Sequence, residues 1–354
     1  MYRIKLTTLA CAIAALCLAA AARIDARGQA LINHRPQAPA QQPFRLERGG
    51  KVSVTNPSGD IIITGWDRDT IEVTARGEDS ASPASIRVRG DSRSAIISIP
   101  AEVRRLGGQI DLDIKVPRYA EIESAESRHG DVSVSDVDGG VFISANNGDV
   151  IASRLGSLRV ETRNGDVSAR SIRNSLNVSS LNGDVISAEI GSSVEVKATS
   201  GDISISNAGA DVRAYSASGD IHVTCAKSRV DASTASGTIT LTGVGGDVEG
   251  TTASGSVVFR GPIRKGGRYS LKSLSGEVEM FIQPDPPGFT ATLTTYRGEI
   301  ETEFELKITT PFRGPVNRRV TGVYGDGQAR IDLDSFSGTV RIVKANPEML
   351  RGCQ

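Results

Sequence analysis

The sequence predicts an all-β chain: a single-domain parallel β-solenoid (β-helix) of about 18 residues per coil, with irregular capping strands at its N-terminal end. Three observations carry this expectation. A Gly-Asp step recurs at Gly130-Asp131, Gly148-Asp149, Gly165-Asp166, Gly183-Asp184, Gly201-Asp202 and Gly219-Asp220, and continues with the second residue relaxed at Gly237, Gly255, Gly276, Gly298 and Gly338. The steps between these glycines are 18, 17, 18, 18, 18, 18, 18, 21, 22 and 40 residues, and a fixed short period marks stacked copies of one unit. Aromatic residues make up only 4% of the chain, with a single Trp. That suits many thin aliphatic layers better than one globular core.

Residues 1–22 read as a secretory signal peptide. Arg3 and Lys5 supply a positive start, Leu6 to Ala22 form an Ala-rich apolar run, and Ala20 and Ala22 fit an A-x-A cleavage rule. An uncleaved anchor is the alternative, and the run is short for a membrane span. Cys11 and Cys17 lack the context of a lipid-modified cysteine. Residues 23–49, with Pro36, Pro39 and Pro43 and no period, read as a linker. From Gly50 apolar residues alternate at Val52, Val54, Ile61, Ile63, Ile71 and Val73, which is strand patterning. Strands of irregular length follow, so 50–120 is expected to cap the stack.

The regular coils span 121–260. Counted from each glycine, position +2 is always Val or Ile, as at Val132, Val185 and Ile239. Position +4 is small or apolar, +7 is apolar (Leu155, Ile172, Ile190), and +11 is Val or Leu (Val194, Val212, Val230). Each unit therefore carries two short strands, near +1 to +5 and +10 to +14, in the β-branched composition that a packed pleated surface favours. The Asn-Gly steps at 147–148, 164–165 and 182–183 also fit hairpins. An antiparallel meander of over twenty strands would exceed what open twisted sheets tolerate, and a propeller would need four strands per repeat. In a solenoid each strand pairs with its counterpart one coil later, about 4.8 Å away, and a right-handed winding is expected by analogy with parallel crossovers. One coil alone cannot offset its ordering entropy, so the stack should fold cooperatively. Residues 261–343 read as irregular C-terminal coils, with two coils of 20 between Gly298 and Gly338, and 344–354 as a tail.

These elements resemble a known family. The opening Val52-Ser53-Val54-Thr55-Asn56-Pro57-Ser58-Gly59-Asp60-Ile61-Ile62-Ile63, the segment Asp111-Leu112-Asp113-Ile114-Lys115-Val116-Pro117 before the Gly-Asp ladder, and the closing Ser337-Gly338-Thr339-Val340-Arg341-Ile342 resemble the bacterial candidate-adhesin family, domain of unknown function 4097. The resemblance covers about residues 50–343. It implies an exported β-solenoid and brings no catalytic motif with it.

The residues indicate little chemistry. Lys plus Arg and Asp plus Glu are both 41, which gives no argument for a nucleic-acid partner. The histidines are His34, His129 and His222, none with zinc spacing, and no nucleophile elbow or phosphate loop occurs. No catalytic residue or cofactor is expected. The Asp column at Asp131, Asp149, Asp166, Asp184, Asp202 and Asp220 could line up cation sites. The reading preferred on the residues is that each Asp accepts from the backbone of its own turn. The basic groups Arg154, Arg159, Arg163, Arg170, Arg173 and Arg260, Arg264, Lys265, Arg268, Lys272 could meet anionic polymers, or form a solvated face balancing the acids. Cys225 and Cys353 are expected as a buried thiol and a free tail thiol, with a bridge as the alternative.

The expected function is an exported, non-catalytic adhesion or interaction module in the periplasm, at the cell surface or outside it. Its partner would be a protein or an envelope polymer, with membrane contact only through an uncleaved signal. The alternatives are a polysaccharide-active β-helix enzyme, for which Trp66 is the only Trp available to a sugar groove, and a calcium-dependent structural repeat.

Overall fold

A computed structural model describes residues 44–77, 86–99, 109–310, 318–346 and 353, all within one compact unit. The expected signal peptide and most of the expected linker lie outside the described residues. Seven strands precede the regular coils: β1 (Phe44–Arg45), β2 (Lys51–Asn56), β3 (Ile61–Trp66), β4 (Thr70–Gly77), β5 (Arg87–Asp91), β6 (Ser94–Ser98) and β7 (Ile110–Pro117). From there the chain alternates between two sheets. One takes β9 (Val132–Ser135), β11 (Val150–Leu155), β13 (Val167–Ile172), β15 (Val185–Ile190), β17 (Ile203–Ala208), β19 (Ile221–Ala226), β21 (Ile239–Thr242), β23 (Val257–Arg260) and β25 (Val278–Ile282). The other takes β8 (Glu121–Ser127), β10 (Gly140–Asn147), β12 (Ser157–Asn164), β14 (Leu176–Asn182), β16 (Val194–Ser200), β18 (Val212–Ser218), β20 (Val230–Ser236), β22 (Val248–Ser254) and β24 (Arg268–Ser275). Every neighbouring pair in these runs is parallel and set one coil apart, as in Val167↔Val185 and Val194↔Val212. This is the solenoid that the period predicts.

The core lies between the sheets. Positions +2, +4 and +7 of the first sheet point inward, so that Val150, Ala152 and Leu155 are buried. Two consecutive outward residues separate +4 from +7. The second of them has a left-handed backbone in six coils: Asp136, Arg154, Ser171, Glu189, Asn207 and Cys225, with φ of 54–62°. One left-handed residue in each coil advances the pleat by a step and returns +7 to the core. Gly243 continues the column at φ 64°.

The second-sheet strand is longer than expected and runs to the residue before the next glycine. Beyond the apolar +11 and +13, the third residue before the next glycine carries a hydroxyl in most coils, with Ala145 and Ala198 in two. Thr234, Thr252 and Ser273 occupy this position and donate to the carbonyls of Gly219, Gly237 and Gly255 at 3.2, 3.0 and 2.8 Å. These polar residues look like turn residues in sequence, which is why the strand was expected to stop before them.

Both ends break the simple winding. At the start β2 and β3 form a coil, and the chain then steps outward. β6 pairs on the outer side of β2 and β7 on the outer side of β3, while β8 and β9 return to the inner side. β4 closes the edge of one sheet antiparallel to β7, β1 lies on β4, and β5 closes the other sheet on β6. Phe44 and Arg45 fall within the stretch expected to be a linker, yet they pair with Ile71 and Thr70, and Leu46 is buried in the core.

At the far end the strands are β26 (Phe289–Thr295), β27 (Ile300–Thr302), β28 (Lys307–Thr310), β29 (Arg318–Tyr324), β30 (Ala329–Ser335) and β31 (Val340–Lys344). The last coil, β30–β31, is inserted between β24–β25 and β26–β27. The two coils expected between Gly298 and Gly338 are corrected by this. The antiparallel β29 covers the edge of β26, and β28 lies on β29. A reversed strand ends a parallel ladder that would otherwise offer free N–H and C=O groups to another chain.

Candidate functional site

The predicted glycine column is continuous in space. Each glycine from Gly130 to Gly255 has φ between 122 and 148°. A Cβ on any of them would also meet the carbonyl oxygen of the glycine one coil before, as at Gly183, where Gly165 O would lie 2.2 Å away. Positive φ is absent at Gly276, Gly298 and Gly338, contrary to the expected turn geometry. Close approach accounts for glycine there: Gly338 sits on Gly276 and Gly298 sits on Gly338, each with a carbonyl 1.9–2.0 Å from a built Cβ.

The Asp column forms a hydrogen-bonded ladder along the stack. The backbone N–H of Asp149 donates to Oδ1 of Asp131 at 2.8 Å, Asp166 to Asp149 at 2.9 Å, and Asp184 to Asp166, Asp202 to Asp184 and Asp220 to Asp202 at 2.8 Å. Thr238 ends the run on Asp220, while Asp60 and Asp111 extend it at the other end. Each carboxylate thus caps the next coil rather than its own turn. Among the described residues no group of three or more His, Cys, Asp or Glu side chains is gathered to hold a metal ion.

At the opposite corner the left-handed residues pair along the axis. Arg154 grips Asp136 with two hydrogen bonds of 2.7 Å, and Ser171 Oγ donates to Glu189 at 2.6 Å. The hydrogen bond from Arg154, with added attraction from Arg118, holds the Asp136 carboxyl below the usual carboxylate range against some burial. Cys225, in the same column, is joined to Cys353 by a disulfide with Cα atoms 5.3 Å apart. The expectation of two separate thiols is therefore corrected. The pairing partner comes from the far end of the chain, and sequence spacing holds no record of that proximity.

The outer faces differ. On the first sheet one outward column alternates Ile62, Ser133, Ile151, Ser168, Ile186 and Ser204 in register, with Ile151 and Ile186 more than half exposed. The second sheet is charged. The basic groups singled out in the sequence are divided between surfaces: Arg154 and Arg173 pair with Asp136 and Asp138 at the corner, Arg159 pairs with Glu161, and Arg260 lies over Phe281.

Arg268 lines a groove of about 270 Å³ that crosses β22, β24 and β30, and Arg264 reaches its edge through Asp247. Arg229, Asp247, Glu249, Arg268, Ser270, Arg330 and Asp332 line it, over Val248 and Tyr269. Arg229 pairs with Glu249 at 2.9 Å and Arg264 with Asp247 at 2.7 Å. Partial burial pushes the Asp247 carboxyl up, but the hydrogen bonds from Arg264 and the Arg268 N–H outweigh it and hold it below its ordinary range. Arg330, Asp332 and Glu249 carried no signal in the sequence, because only the inserted last coil brings the first two to this face.

A family model described as Toastrack DUF4097 matches residues 39–241. The chain belongs to the Toastrack family. No curated protein matches it. Among solved structures, this Toastrack chain is similar to a candidate cell adhesion protein from Clostridium sporogenes (9% identity, 87% of this chain and 99% of that one, TM-score 0.21). It is also similar to a candidate adhesin from Bacteroides fragilis (12%, 87% and 99%, TM-score 0.26) and to a candidate lipid binding protein from Parabacteroides distasonis (12%, 87% and 98%, TM-score 0.35). Of the Toastrack features above, the Asp ladder and most of the left-handed column fall inside the matched residues, and the groove falls beyond them except for Arg229.

Proposed function

We propose that this Toastrack protein is an exported, non-catalytic interaction module that presents the outer faces of its two sheets to a polymer or protein at the cell surface or in the periplasm. The observation that carries the reading is the in-register outer face. Along the column from Ile62 to Ser204 the same group recurs at every second strand, about 9.6 Å apart, so a partner with a matching repeat meets it more than once. The alternating Ile and Ser column offers apolar contact and hydroxyls in turn. The carboxylates most available by count, those of the Asp ladder, are occupied in capping backbone N–H groups, which favours a structural role for them over acid–base work.

Export is supported by the expected signal peptide and by the Cys225–Cys353 disulfide, since such bonds persist in oxidising compartments. The test has two parts. Cell fractionation with a maleimide label should find the protein outside the cytoplasm with no reactive thiol in Cys225 or Cys353. An array of envelope polysaccharides and surface proteins should show binding without turnover. Cytoplasmic retention, or polymer cleavage abolished by one Asp substitution, would overturn the reading.

A further inference from the structure

Arg268 and Arg330 stand directly opposite one another on the parallel strands β24 and β30, about 4.8 Å apart at the backbone. Among the described residues neither guanidinium forms an ion pair. The nearby acids are already engaged: Glu249 with Arg229, and Asp247 with Arg264 and the Arg268 N–H. Two like charges facing each other across a strand pair destabilise a sheet, and here both border the groove. Asp332, one step further along β30 on the same outward face, is the remaining acid without an ion pair, and Ser270 lies opposite it.

We propose that this groove binds an acidic sugar, with Arg268 and Arg330 gripping the carboxylate of a uronic acid residue and Asp332 and Ser270 taking its ring hydroxyls. The guanidinium fork matches a carboxylate through two parallel hydrogen bonds, and two stacked forks reach one planar anion from adjacent strands. The formal charges of the lining balance, and Asp332 faces the position that a second acid group next to the first would occupy. That disfavours densely charged polyanions such as nucleic acid and favours a polysaccharide whose acids are separated by neutral sugars. The groove is half open to solvent, which leaves room for an internal residue of a chain. The proposal rests on the reading of this protein as a polymer-binding module and names the class of polymer.

The test uses the chain purified from a secreting host, titrated with hyaluronan, which has one carboxylate per disaccharide. Neutral dextran, dextran sulfate and duplex DNA are run beside it. Hyaluronan should bind most tightly of the four, and added salt should weaken the binding. Arg268→Gln and Arg330→Gln should each weaken it about tenfold or more, whereas Lys272→Gln, on the same face outside the groove, should leave it unchanged. Asp332→Asn should bring dextran sulfate binding up towards that of hyaluronan. Arg268→Gln should also melt no lower than the parent, because it removes a repulsion; this separates lost binding from lost folding. Equal hyaluronan binding by parent and both Arg variants would overturn the proposal while leaving the module reading intact. Preference for dextran sulfate or DNA over hyaluronan would overturn the uronate assignment. No binding to any polymer or surface protein on the wider array would overturn both.

Discussion

Replacing Gly183 with Ala tests the stack at its tightest recurring contact. Gly183 has φ of 122°, where an L-residue pays about 1–2 kcal/mol. The new Cβ would lie 2.2 Å from the oxygen and 2.6 Å from the carbonyl carbon of Gly165. Both atoms are backbone, so relief requires the two coils to separate by most of an ångström. The bonds that join these two coils at the turn, Gly165 N–H to Asn182 O at 3.2 Å and Asp184 N–H to Asp166 Oδ1 at 2.8 Å, stretch with that separation and leave hydrogen-bonding range. Two lost bonds at about 1 kcal/mol each, with the backbone strain and less the small entropic benefit of Ala in the unfolded chain, give a net loss of about 3 kcal/mol. That corresponds to a fall in melting temperature of about 4–5 °C in a chain of 354 residues.

Three companion variants separate the causes. Gly140→Ala has ordinary φ and open space, Gly49→Ala has φ of 76° with open space, and Gly338→Ala has the backbone clash without positive φ. Calorimetry should rank them in that order of increasing damage, with Gly183→Ala at or beyond the last. Hydrogen exchange in Gly183→Ala should rise first in the coils on either side of residue 183. If Gly183→Ala and Gly140→Ala melt within about 1 °C of each other, the close-approach argument is wrong.

Four further outcomes are expected. Cys225→Ser, or reduction of the native protein, should destabilise the C-terminal part of the stack by up to about 5 kcal/mol, because the bond closes a loop 128 residues long; mass spectrometry of the untreated chain should find it lighter by two hydrogens than the reduced form. Asp184→Ala should cost about 1 kcal/mol by leaving the Asp202 N–H without its acceptor, read by chemical denaturation. The melting transition should be the same with calcium as with a chelator; a shift would restore the row of cation sites as a reading of the Asp column. Because the Asp136 carboxyl is depressed in the folded state, its contribution is present above the unfolded value near pH 4 and is lost as pH falls through the lower folded value. The stability gap between the parent and Asp136→Asn should therefore be constant at neutral pH and close in acid.

The repeat itself was legible because it is local. A coil needs glycine where carbonyls crowd the turn and inward apolar residues at fixed offsets, and both leave a period in the chain that fixes the parallel pairing one coil apart. The left-handed column was harder to see. Asp136, Arg154, Ser171, Glu189, Asn207 and Cys225 share a backbone conformation but no side-chain chemistry, so only the jump from +4 to +7 in the apolar pattern hinted at it. The buried hydroxyls three residues before the next glycine hid the true end of the second strand for a similar reason.

What the tertiary structure alone decided is the order of the coils at the two ends, and everything that follows from it. Any coil with these apolar columns can pair with any other, so composition cannot say which is outermost. In the folded chain the far end closes one sheet with the antiparallel β29 and β28 and ends the other on the short β27. Inserting the final coil beside β24–β25 brought Arg330 to Arg268, set Gly338 on Gly276, and left Cys353 against Cys225. Each of these contacts joins residues remote in sequence, and none leaves a spacing that could be read from the chain beforehand.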